Sequence, residues 1–173
     1  LNAATVRGLE FTGAALLGPN DPGLSKLIRS AVYVVGLDST AVARLGGRSR
    51  LEQLMAEFFE RPEALVRRDV KGIGRQIDVR AGVTELALGD ERAEAVLRRA
   101  GVVGRLTPLV MTVPMGGQGA VRIAEVLEAV FGDRELPHVG VRSALRGAEG
   151  SLLDLAAHRK PQERVSQAIL GGT

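Results

Sequence analysis

Residues 64–80 read ALVRRDVKGIGRQIDVR, with two β-rich runs, Ala64 to Val70 and Arg75 to Arg80, on either side of Lys71-Gly72-Ile73-Gly74. Two such runs joined by so short a glycine-bearing segment predict a β-hairpin with a four-residue turn. That turn joins neighbouring strands without a crossover helix, which excludes a simple doubly wound parallel order. With Val70 set opposite Arg75, Arg68 faces Ile77, Arg67 faces Asp78 and Val66 faces Val79. One face then turns Val66, Val70, Ile77 and Val79 toward a core. The other carries Arg67, Asp69, Gln76, Asp78 and Arg80, with Arg67 and Asp78 as a cross-strand ion pair worth roughly 0.2–1 kcal/mol.

Working outward, Ala31 to Leu37 (AVYVVGL) is continuous and β-branched, as a strand covered on both faces would be. Ser49-Arg50-Leu51-Glu52 has the spacing of a capping box, and Leu51, Leu54, Met55 and Phe58 then form one apolar helical stripe that Pro62 stops. After the hairpin, Val83 to Leu88 extends the second strand and Asp90 caps a helix with Ala93, Val96 and Leu97 inward and Gly101 as its stop. Leu106 to Val113 is a further strand. The order strand, helix, strand, strand, helix, strand over 31–113 is that of a ferredoxin-like βαββαβ unit, so the chain reads as α+β with additional flanking strands and helices. The flanks are a strand at Leu9 to Leu17, a short helix capped by Asp21 with Pro22 at its first position, a helix with Ile123, Val126, Leu127 and Val130 inward, and a strand at Val139 to Leu145. The expected boundary leaves residues 1–146 as the domain and 147–173 as a tail with two short helical patterns, Leu152 to His158 and Gln162 to Leu170.

The chain has 173 residues, 45% of them hydrophobic and 25% charged, which suits one folded domain and excludes a disordered one. It has no cysteine, so it builds no disulfide, zinc-thiolate or iron–sulfur site of its own. Only five aromatic residues are present (Phe11, Tyr33, Phe58, Phe59 and Phe131), so a base-stacking platform has few candidates. The start, Leu1-Asn2-Ala3-Ala4, lacks Met and has neither the basic start nor the apolar run of a signal peptide. No apolar stretch approaches the roughly eighteen residues of a membrane span. The expectation is a soluble, cytoplasmic fragment with no membrane partner.

The net charge is +3. From Arg61 to Arg80 six bases stand against three acids, so this segment holds the whole excess. Within it Arg68, Lys71 and Arg75 lack the cross-strand partner given to Arg67, and with Arg80 they are the candidate contacts to the phosphates of RNA or another anion near the turn glycines. A solvated face of self-paired charges is the competing reading. Met115 to Val121 (MGGQGAV) sets glycines between a strand and a helix, where amides cradle phosphates in other folds. It has no Lys-Ser/Thr, and Arg122 stands where a dinucleotide fingerprint needs its third glycine, so a plain turn is the better reading. His138 and His158, the only histidines, sit in no ligand-spaced cluster, and no serine has a nucleophile-elbow context. No catalytic, cofactor or metal residue is assigned.

The segments LNAATVRGLEFTGAALLGPNDPGLSKLIRSAVYVV, VRRDVKGIGRQIDVR and GGQGAVRIAEVLEAVFG, taken in order, resemble the radical-SAM-linked family of unknown function. Its members stand beside, or are fused to the C-terminus of, cobalamin-binding radical S-adenosylmethionine proteins. The resemblance runs from Leu1 to about Leu145 and implies that this is the later portion of the family's domain. It also implies that iron–sulfur cluster, S-adenosylmethionine and cobalamin belong to an upstream domain or a partner protein. Lys71, Asp78 and Arg80 stand where the family has a basic residue followed by an acid-x-basic element, and Ile123 replaces an expected proline. The expected function is thus a non-catalytic accessory domain of a radical S-adenosylmethionine protein that recognises a substrate, RNA being the candidate, through the basic hairpin. A structural or protein-docking module and a nucleotide-dependent enzyme are the alternatives.

Overall fold

A computed structural model describes residues 24–116, 120–148 and 150–154. After a single helical turn, α1 (Leu24–Leu27), the chain forms β1 (Ser30–Asp38), α2 (Ser39–Arg44), α3 (Gly47–Glu60), β2 (Leu65–Val70), β3 (Ile73–Asp78) and β4 (Glu85–Leu88). It continues through α4 (Glu91–Arg99), β5 (Leu106–Pro114), α5 (Ile123–Phe131), β6 (His138–Gly147) and β7 (Gly150–Asp154). The class is α+β. Five strands form one antiparallel sheet in the order β4-β5-β1-β6-β7, and β2 and β3 form a separate two-stranded sheet.

The central strand is the one its sequence marks out. Ala31, Val35 and Leu37 on one side of β1 and Val34 on the other are all buried, because helices cover both faces of the sheet. On the first face Leu51, Met55 and Phe58 of α3 and Val126, Leu127 and Val130 of α5 pack over Ala31, Val35, Leu109 and Met111. On the second, Ala93, Val96 and Leu97 of α4 pack against Val34, Val110 and Val141. The predicted stripes of all three helices are therefore the buried ones. Asp90 caps α4 by accepting from the amides of Arg92 and Ala93 at 3.0 and 3.2 Å.

Over 31–113 the chain has one more helix, α2, and one more strand, β4, than expected, and the pairing is not ferredoxin-like. A strand has two hydrogen-bonding edges, and those of β1 are taken by β5 and β6, so the hairpin has no place beside it. The short β4 joins β5 instead. Three local expectations also change. Helix α3 begins at Gly47 behind Gly46 in the left-handed region, without a side-chain cap, so Ser49 lies inside the helix and the capping box is not used. Asp38 caps an additional helix, α2, by accepting from Thr40 and Ala41. Residues Gly150–Asp154 pair with β6 as an edge strand, so the sheet runs past the expected boundary at 146 and Leu152 begins no helix. The strand at Leu9 to Leu17, the Asp21 cap, His158 and the Gln162 to Leu170 pattern lie outside the described residues.

Candidate functional site

The hairpin closes on two residues rather than four. Lys71 and Gly72 have φ of 52° and 80°, and positive φ at both central positions is the requirement of a type I′ turn, whose twist matches that of the strands. The register follows, with Val70 opposite Ile73, Arg68 opposite Arg75, Arg67 opposite Gln76 and Leu65 opposite Asp78. The expected cross-strand pair of Arg67 with Asp78 is therefore absent. Arg67 instead lies across Gly74 toward Asp69, its Nε 3.6 Å from Asp69 Oδ1. Asp78 Oδ1 accepts from the amides of Ala64 and Arg80, each at 3.0 Å.

Alternation places Arg68 on the same face as Val66 and Val70, the face turned toward the body of the protein. Arg68 is 8% exposed, and its side chain meets Glu125, which is fully buried in the first turn of α5. Arg68 Nε and Nη2 donate to Glu125 Oε1 and Oε2 at 2.6 and 2.5 Å, and Nη2 also donates to the carbonyl of Ala120 at 3.1 Å. Glu125 Oε2 accepts in addition from the Arg122 amide at 2.8 Å, so the carboxylate closes the start of its own helix, where the helix dipole favours it. Burial is the strongest influence on Glu125 and opposes its charge, yet the Arg68 hydrogen bonds, the Arg122 amide and the two neighbouring cations together hold its pKa below the ordinary glutamate value. The hydrogen bond to Glu125 raises that of Arg68 against its own burial. A second tether joins the same elements, since Arg134 Nη1 donates to the Arg67 carbonyl at 2.8 Å and to Glu128 at 3.0 Å.

The four predicted anion contacts thus divide. Arg68 is a structural cation with a carboxylate of its own, which corrects the expectation that it lacks a partner. Arg80 lies over the ring of Phe59 at 4.8 Å and donates to the Phe59 carbonyl at 3.2 Å, so its guanidinium is spent on the end of α3. Lys71 and Arg75 are exposed and, among the described residues, have no ion-pair or hydrogen-bond partner. Lys71 stands in the turn between Val70 and Ile73, the latter 61% exposed, and Arg75 lies on β3 opposite Arg68. Glu125 escaped the sequence reading. Arg68 did not have to, because a basic residue between two inward valines signals a buried cation that needs a carboxylate.

The same contact brings together the two motifs that the sequence singles out. Through Ala120, Arg122 and Glu125, Arg68 fastens the hairpin to the residues that follow the glycine turn. A cleft of about 290 Å³ is lined by Gln76, Ile77 and Asp78 of β3 and by Pro114, Gly116 and Val121; Gly117, Gln118 and Gly119 lie outside the described residues. The first-turn amide of α5 at Arg122 is already matched by a buried carboxylate, which disfavours a phosphate there.

Residues 1–122 match the model of a family described as an uncharacterized protein conserved in bacteria, DUF2344. The chain belongs to this family. The match takes in the hairpin, the cleft and the glycine turn of this DUF2344 member and ends just before α5. No curated protein and no solved structure matches the chain. Among the described residues, no helix is long and apolar enough to cross a membrane, and no group of three or more His, Cys, Asp or Glu could hold a metal ion.

Proposed function

We propose that this DUF2344 domain is a non-catalytic binding module whose hairpin takes the phosphates of RNA on Lys71 and Arg75. The observation that carries the reading is the hairpin's construction. Among the described residues it is a sheet of its own, fastened through Arg68 to Glu125, with two exposed cations that have no partner there, Lys71 in the turn and Arg75 opposite Arg68. Phosphate contact needs cations that are not already neutralised, and the excess charge of the chain is concentrated in this segment. The resemblance to the radical-SAM-linked family gives the module a setting. It would hold substrate for a radical S-adenosylmethionine protein, in the same chain or separate, which would supply the cluster and cofactors.

Fluorescence anisotropy of a labelled single-stranded RNA against rising salt tests this. Lys71→Ala and Arg75→Ala together should weaken binding and lower the salt slope by about 0.7 for each phosphate contact removed. Binding unchanged by the double replacement rejects the reading. A protein-docking role has an observation of its own, the exposure of Leu65, Val70 and Ile73 on the same hairpin. On that reading Ile73→Ser, rather than the cation replacements, abolishes capture of the radical enzyme.

A further inference from the structure

Among the described residues β3 pairs only with β2, so its second edge is open. In a hairpin closed by a two-residue turn, the pairs Val70 with Ile73, Arg68 with Arg75 and Val66 with Ile77 exchange the backbone hydrogen bonds. The N–H and C=O groups of Gly74, Gln76 and Asp78 therefore point away from β2. The other edge obeys the same rule, since the outward carbonyl of Arg67 is the one that Arg134 takes.

The outward groups of β3 border the cleft of about 290 Å³, with Gln76, Ile77 and Asp78 on one side and Pro114, Gly116 and Val121 on the other. Ile77, Pro114 and Val121 offer apolar contact. Gln76 and Asp78 supply a side-chain amide and a carboxylate. Asp78 uses only Oδ1 for Ala64 and Arg80, and Oδ2 has no partner among the described residues. A free carboxylate oxygen repels a phosphate and a carbonyl alike, and accepts readily from an exocyclic amino group. Arg75 precedes Asp78 by three residues, about 10 Å at the rise of a β-strand, and the odd spacing puts their side chains on opposite faces of β3, so a strand of RNA that reaches both passes over the open edge between them.

We infer that this cleft takes one unpaired base bearing an exocyclic amino group, cytosine, adenine or guanine as against uracil, from a single-stranded RNA whose phosphates lie on Lys71 and Arg75. The inference rests on the RNA-binding reading above and adds to it a site for the base. Carboxylate acceptors read the cytosine amino group and amide side chains read the adenine edge, whereas uracil offers oxygen where the amino group stands.

The test compares labelled octamers of C, A and U on the whole chain by fluorescence anisotropy at one salt concentration. Oligo-C or oligo-A should bind roughly tenfold or more tighter than oligo-U, the scale of one good base contact. Gln76→Ala, at an exposed position, should reduce that ratio without changing the salt slope. Asp78→Asn keeps the Oδ1 acceptor for the two amides but puts an N–H donor in place of Oδ2, and should move the preference toward uracil. Equal binding of the three octamers, or a preference that survives both replacements, overturns the base site and leaves the phosphate reading standing. If none of the three binds, both readings fall, and an extended peptide pairing with the open β3 edge takes their place.

Discussion

Arg68 and Glu125 stand 57 positions apart and form a doubly hydrogen-bonded ion pair with almost no exposure to solvent. Arg68 Nε and Nη2 and both carboxylate oxygens of Glu125 are hydrogen-bonded. Arg68 also holds the Ala120 carbonyl and Glu125 also holds the Arg122 amide, so neither charge is left without compensation. The pair joins a hairpin that lies outside the main sheet to the helix that covers that sheet. It fixes where the hairpin stands relative to Ala120 and the start of α5, beside the cleft that β3 lines.

Breaking the pair from one side should cost more than removing it. Glu125→Ala leaves a guanidinium buried without its partner and is expected to lower stability by about 3–5 kcal/mol. The double replacement Arg68→Met with Glu125→Leu removes both charges at similar volume and should recover most of that loss. Urea denaturation of the three proteins measures the difference. Equal losses in the single and double variants would show that the pair contributes only as packing.

Acid should release the hairpin. The folded pKa of Glu125 lies below its ordinary value, so its contribution is fully present above the unfolded pKa of about 4.3 and is lost as pH falls through the lower folded value. Glu125→Gln has no such proton to gain. The stability gap between the native protein and Glu125→Gln should therefore be widest near neutral pH and narrow steadily below about pH 4. Thermal denaturation from pH 7 to pH 3 reads it, and a gap that stays constant would remove the charge of Glu125 from the account.

The contrast between what the sequence discloses and what it withholds has a physical basis here. The stripe Leu51, Leu54, Met55 and Phe58, the Asp90 cap and the double-sided burial of β1 are properties of one element and its own period, and each is readable from local sequence. The neighbours of β1 are a matter of competition among strands that are all apolar enough to pair, and nothing local tells β5 and β6 from the hairpin. The Ser49 capping box fails for a related reason. Gly46, with φ of 100°, lets the chain turn from α2 directly into α3, so the helix starts before the serine is reached. Arg68 was half legible, since alternation alone places it inward; its carboxylate comes from a helix 57 positions away, beyond any local signal.

Lys71 sits at the tip of the hairpin with φ of 52°, in a region that costs a residue with a Cβ about 1–2 kcal/mol. Asparagine tolerates it better, and Asn-Gly is the preferred pair for this turn. Lys71→Asn should therefore firm the hairpin by roughly 1 kcal/mol, seen as slower amide exchange in β2 and β3. The same replacement removes a cation and should weaken RNA binding. A variant that is firmer and binds less well would separate the charge of Lys71 from any effect on folding; unchanged exchange would show that the turn carries no strain.

Gly82 lines the cleft directly opposite Val121, and a Cβ at this position would enter the space of Val121 Cγ1. Val121 is itself buried, so its isopropyl group has little room to yield. Gly82→Ala is expected to cost about 1–3 kcal/mol through overpacking and to narrow the cleft. The added methyl needs no unusual backbone angle, so the whole penalty should come from this one contact. Gly82→Ala combined with Val121→Ala returns the volume, and the two changes should couple, with the double variant more stable than the sum of the single losses predicts. Urea midpoints of the four proteins in the cycle decide it: additive losses would mean that the loop after β3 moves away from Val121 rather than packing against it.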